Sequence, residues 1–221
     1  MELPEDEIDP ARWAHLCSGP DHYPGRGVDI PEVLRGLAGA KDHAEARRWA
    51  DRLYGLVFHD HSGGYLFPAA QVAPHLVRLA SSPRAGVRAV ALGFLVYLGA
   101  GGPLWAEDCP GAGGFDRRVT DAVRAGLETY YAQLKDPEVT VRAAAFVLIT
   151  VLEHEAWLAL TGAARMAAEA GPPITSERYR RTVEQLHEHD WDPAFRRYLG
   201  MAKVDPLFGH GEEYRGFEYT Y

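Results

Sequence analysis

The chain of 221 residues has no asparagine, only three lysines (Lys41, Lys135 and Lys203) and only two cysteines (Cys17 and Cys109). Two cysteines allow at most one disulfide, so no disulfide framework holds the fold. Free thiols in a reducing cytosol are the expectation. The shortage of lysine against twenty arginines is the signature of a GC-rich bacterial genome and carries no functional weight. Long apolar runs are also missing. The richest, residues 89–98 and 143–152, are about half the ~20 residues that a membrane-spanning helix needs. The first ten residues are acidic and lack the basic start and apolar stretch of a secretory leader, so a cytoplasmic protein is expected. Serines are few, and no G-x-S-x-G, H-E-x-x-H or Walker-type string occurs.

The net charge of −8 is carried by the ends. Glu2, Glu5, Asp6, Glu7 and Asp9 crowd the start, and Asp205, Glu212, Glu213 and Glu218 crowd the end. Residues 11–204 hold 22 acids and 22 bases. A neutral body lacks the basic excess with which nucleic-acid binders capture phosphate.

A pattern that occurs twice organises the middle of the chain. Residues 82–98 read SPRAGVRAVALGFLVYL and residues 136–152 read DPEVTVRAAAFVLITVL. Both place Val-Arg-Ala at the same offset (Val87-Arg88-Ala89 and Val141-Arg142-Ala143) ahead of an apolar helix. Self-similarity of this kind indicates stacked helical pairs, each burying its apolar face on the next. A weaker first copy sets Arg48 over Arg88 and Arg142, which puts Asp42, Ser82 and Asp136 at one equivalent N-cap position. The arginines are then 40 and 54 residues apart, and the glycine-rich insert 99–114 accounts for the difference.

Periodicity predicts the remaining elements. An arm with four prolines covers 1–27, with Trp13 and Leu16 placed to cap the first pair. That pair starts at an Asp29 cap, with Val33, Leu34 and Leu37 inward, and its second helix runs from Asp42 to Phe58. The second pair covers 67–80 and 84–98, with Pro74 matching Pro31. In the third, Val119, Val123, Leu127, Tyr130 and Leu134 form the stripe of one continuous helix, and its partner covers 138–155. Further helices are expected over 156–170, from a Thr175 or Ser176 cap to His189, and from Asp192 to Lys203. An aromatic and acidic tail covers 205–221. One domain, 28–204, lies between arm and tail.

The string Asp-Pro-x-Val-x-Val-Arg-x-Ala at 136–144 resembles the start of the second helix in HEAT repeats. The resemblance covers roughly residues 29–160. It implies an all-α, short right-handed α-solenoid of stacked antiparallel helix pairs. Asp136 would cap its helix and Arg142 would reach along the stack. Ser82 with Arg88, and Asp42 with Arg48, are the weaker copies. The layout also looks like HEAT-like proteins of high-GC bacteria, a group that includes suspected immunity and adaptor proteins.

The candidate chemistry is thin. His59-Asp60-His61, Glu153-His154-Glu155 and His187-Glu188-His189-Asp190 carry ligand-type side chains. His187 and His189, two apart on a helix, diverge by about 200°, and solvated helix ends explain such clusters. Cys109 lies beside Asp108, which raises a thiol pKa and makes it less reactive. No catalytic group, metal site or cofactor is assigned. The candidate binding residues are His59, Asp60, His61 and Tyr65 at one rim, and Trp105, Glu107 and Asp108 in the insert. Trp105 has the alternative of folding back onto the core. The expected function is a non-catalytic protein-binding scaffold, adaptor or immunity-type protein. Its partner, another protein, docks on the concave face of the stack and is steered by the acidic ends. The alternatives are a nucleic-acid-binding or DNA-processing HEAT-like protein and a His/carboxylate metal-binding protein.

Overall fold

A computed structural model describes residue 13, residues 29–58, 64–66, 68–100, 115–153 and 177–188, and residue 197. Among them the fold is all-α. Eight helices form: α1 (Ile30–Gly39), α2 (His43–Val57), α3 (Ala69–Leu79), α4 (Ala85–Ala100), α5 (Phe115–Arg124), α6 (Leu127–Gln133), α7 (Val139–Glu153) and α8 (Glu177–Glu188). Extended pairing among the described residues is limited to one antiparallel bridge, Phe58 with Tyr65.

Short turns fold α1 onto α2, α3 onto α4, and α6 onto α7. The second helices α2, α4 and α7 then lie side by side, α4 against both others, while α3 packs on α5 and α8 rests on α7. The three second helices run parallel. At their starts, a Cβ on Gly86 would come within 2.6 Å of the His43 backbone N. At their ends, Tyr54 and Phe58 of α2 meet Phe94 and Tyr97 of α4, and Gly99 lies against Val151 and Leu152 of α7.

Burial follows from composition. α2 is amphipathic: His43, Ala46, Ala50, Leu53 and Val57 are its buried side, at the three- and four-residue spacing of one helical face. α4 and α7 are apolar on every side and buried on every side, Val87 and residues 89–96 in α4 and residues 143–149 in α7. A helix with no polar face belongs in the centre. The stripes read from sequence are inside: Val33, Leu34, Leu37, Val72, Leu76 and Leu79 are all at 0% exposure. Trp13 is buried too, its ring 5.9 Å from that of His75.

The structure corrects the register of the first copy. The Ala40 N–H bonds the Leu37 carbonyl, Ser82 bonds Leu79 and Asp136 bonds Gln133. Each helix then starts three residues later, at His43, Ala85 and Val139. Ala40, Ser82 and Asp136 are therefore equivalent, and Ala46, not Arg48, stands where Arg88 and Arg142 stand. Arg48 is exposed.

The caps differ as well. Asp42 caps α2 as expected, its Oδ1 accepting the Glu45 N–H at 2.8 Å, while the Glu45 carboxylate accepts from Lys41 N–H. Ser82 and Asp136 are not N-caps. They sit three residues before their helices and accept the N–H two residues on, from Arg84 and Glu138, which is the local turn that Ser and Asp favour. Asp29 makes no cap bond, because its backbone (φ −84°, ψ −20°) is already helical. Pro31 stands in the first turn of α1, whereas Pro74 lies inside α3.

The continuous helix expected over Val119–Leu134 breaks at Ala125-Gly126 into α5 and α6. The Val123 carbonyl, which an unbroken helix would bond to residue 127, instead takes the Gly126 N–H at 3.1 Å and the buried Tyr130 hydroxyl at 2.8 Å. Tyr130 passes so near Gly126 that a Cβ there would lie 2.3 Å from its oxygen. A side chain there would have to displace the ring. Burial pushes the Tyr130 hydroxyl well above its ordinary pKa.

Gly86→Ala tests the close approach of α2 and α4. The new Cβ meets backbone, which cannot rotate away, so overpacking costs about 1–3 kcal/mol. Urea unfolding is expected to show that loss with the m-value unchanged.

Candidate functional site

A polar constellation lies at the starts of α4 and α7. Arg88 Nη1 donates to the Ser82 carbonyl at 2.7 Å. Six residues beyond Asp136, Arg142 Nη1 donates to the Asp136 carbonyl at the same 2.7 Å, and to the Pro137 carbonyl at 2.9 Å. Arg88 then uses Nη2 to reach the next helical pair, 2.8 Å from Asp136 Oδ2, where the two side chains are 13% and 6% exposed. Two other arginines also tie helices together. Arg84 donates to Ala38 at the end of α1, and Arg124 of α5 donates to Leu152 at the end of α7, each at 2.8 Å. A cation at a helix C-terminus answers both its open carbonyls and its dipole. Arg88, Arg124 and Arg142 are thus bonded within the chain, whereas Arg48 is exposed.

The sequence-predicted binding residues are not brought together among the described residues. His59, Asp60, His61, Trp105, Glu107 and Asp108 lie outside them, as do Cys17, Cys109, His154, Glu155, His189 and Asp190. Tyr65 is described, and it does not project from a rim. It is 3% exposed. The bridge to Phe58, with Leu66 N–H bonding the Val57 carbonyl at 2.7 Å, folds this segment back on the end of α2 and turns the ring inward. No cluster of three or more His, Cys, Asp or Glu suited to a metal occurs among the described residues, and no helix there is long and apolar enough to cross a membrane. The row of second helices is covered at its centre, since α4 is buried along residues 89–96.

Recognition-type side chains lie instead at two ends of the assembly. On the α1–α2 pair, Trp49 lies flat across Gly36, where a Cβ would meet its ring at 2.3 Å, and the Arg52 guanidinium sits 4.7 Å above it. On the α6–α7 side, Arg178 of α8 stacks 3.6 Å over the Tyr131 ring and donates both Nη groups to the Glu128 carboxylate. The Tyr131 hydroxyl donates to Glu153. Beside this, Tyr179 is 6% exposed, stacked on Phe146, with its hydroxyl 3.0 Å from Thr150 Oγ1. These contacts join residues up to 50 apart, and no local spacing in the sequence points to them. The adjacent Arg and Tyr at the start of α8 are the one available signal.

Compared with protein-family models, with curated proteins and with solved structures, the chain matches none.

Asp136→Ala leaves the Arg88 guanidinium buried without its counter-charge, which costs about 3–5 kcal/mol; thermal unfolding is expected to show a correspondingly lower Tm. The Arg178–Glu128 pair depends on pH. The hydrogen bonds and charge of Arg178 hold the Glu128 carboxyl below its usual value of 4.5, so the pair's contribution is complete above that value and is lost as pH falls through the lowered one. Hydrogen exchange is expected to show α8 amides losing protection in acid before those of α4.

Proposed function

We propose that the chain is a non-catalytic protein-binding scaffold, an adaptor or immunity-type protein of the cytoplasm, built as a short right-handed HEAT-like solenoid. The observation that carries the reading is the repeated rung. Arg88 and Arg142 close the same six-residue loop at successive pairs, and Arg88 bridges to the next. Units that repeat a contact in this way extend a surface. Commitment of Arg88, Arg124 and Arg142 to backbone carbonyls and to Asp136 supports a protein partner over nucleic acid, because phosphate capture needs unspent cations. Burial of α4 argues against docking at the middle of the second-helix row, and Trp49 and Arg52 of α2, with Tyr131 of α6 and Arg178 of α8, offer the residue types that dominate protein interfaces.

Affinity capture with the immobilised full chain from nuclease-treated lysate tests the reading. One protein retained in stoichiometric amount, and displaced by free chain, is the expected result. Retention of nothing, or of nucleic acid alone when nuclease is omitted, contradicts it.

A further inference from the structure

We propose that the surface formed by α6 and α7 is a docking site for a helix that presents an arginine next to an aromatic residue, occupied in cis by α8 and open in trans to a partner helix of the same chemistry. The proposal rests on the protein-binding reading and names its surface and partner. The site has two adjoining parts. Glu128 and Tyr131 of α6 take a guanidinium: the carboxylate accepts two N–H groups, and the ring lies 3.6 Å beneath the cation. Arginine fits because its planar fork can bond the carboxylate and stack on the ring at once. Glu153 of α7 accepts the Tyr131 hydroxyl and fixes that ring. Phe146 and Thr150 take the neighbouring aromatic. The Tyr179 ring stacks on Phe146 at 6.1 Å with a 20° interplanar angle, and its hydroxyl meets Thr150 Oγ1, which is anchored on the Phe146 carbonyl.

Through its described side chains, α8 gives this surface little. Of its described side chains, Tyr179 alone is buried; Glu177, Arg178, Arg180, Arg181, Glu184 and Gln185 are exposed. Its remaining charges pair along the helix itself, Arg180 with Glu177 and Glu184, and Arg181 with Glu177. Those pairs hold the Glu177 carboxyl down at about 2 and favour the helix locally. Glu128 is 82% exposed, so its pair with Arg178 is of the weak, solvent-screened kind. A helix whose described grip is two adjacent side chains can be exchanged for another that offers the same two. Arg and Tyr are among the residue types that anchor protein interfaces. The tethered α8 competes at an effective concentration on the order of millimolar, which keeps the site closed to weak ligands.

The probe is the chain's own segment, a fluorescein-labelled peptide with the sequence of residues 177–188. It is titrated against the full chain and against the full-length Arg178→Ala/Tyr179→Ala variant, with the core checked by hydrogen exchange in α4 and α7. Binding to the variant about tenfold or more tighter than to the unaltered chain is the expected result. A peptide with both positions changed to alanine is expected to lose that binding, and Glu128→Gln in the variant background, at an exposed position that cannot unfold the core, to weaken it about threefold or more. Equal binding to both proteins, no binding to the variant, or indifference to Glu128→Gln overturns the proposal. None of these outcomes bears on whether affinity capture finds a partner, so the scaffold reading stands or falls separately.

Discussion

The ion pair between Arg88 and Asp136 sets the relation between successive helical pairs. It is nearly dry, and each member is also held by backbone: Arg88 by the Ser82 carbonyl, Asp136 by the Glu138 N–H. A buried charge pair offers little net stability against an apolar replacement, but it fixes geometry, because a shift of either partner strands a charge. Here it fixes the start of α4 against the start of α7. Apolar packing alone would leave those two helices free to slide, since α4 and α7 are apolar on all sides. The backbone contact between Gly86 and His43 does the corresponding job between α2 and α4.

With those starts aligned, the rest of the layer follows. Three parallel second helices bring their ends together, and the rings of Tyr54, Phe58, Phe94 and Tyr97 join there. Parallel alignment also stacks like dipole ends, which is unfavourable unless neutralised. Asp42 answers the positive end of α2, and Arg124 answers the negative end of α7. Arg84, Arg88, Arg124 and Arg142 therefore act as internal mortar. Arg52 and Arg178, on the surface, sit beside aromatic rings, Arg52 on Trp49 and Arg178 on Tyr131.

The helices are legible in the sequence because their periodicity is local. Spacing alone places Val72, Leu76 and Leu79 inside α3, and the duplicated Val-Arg-Ala marks Arg88 and Arg142 as equivalent. The first copy misleads when arginine is matched to arginine. Arg48 is the match by identity, while the preceding turn, visible in the Ala40 hydrogen bond, makes Ala46 the equivalent residue. The break at Gly126 is hidden for a different reason. Its stripe of apolar positions continues unbroken in sequence, and the Tyr130 hydroxyl that stabilises the break meets its acceptor only in three dimensions. Tyr65 has the polar neighbours of a rim residue, yet its pairing with Phe58 turns it inward. The surface that Arg178 grips depends on contacts across 50 residues, beyond the reach of any local pattern.

Coupling between Arg88 and Asp136 across two helical pairs is the central claim, and a double-mutant cycle with Arg88→Met and Asp136→Leu measures it by urea unfolding. A cooperative interaction of about 1–3 kcal/mol between the two positions is the predicted result, with the double variant more stable than the Asp136→Leu single variant. Strictly additive losses would mean that the two side chains do not couple, and the tie between successive helical pairs would not exist.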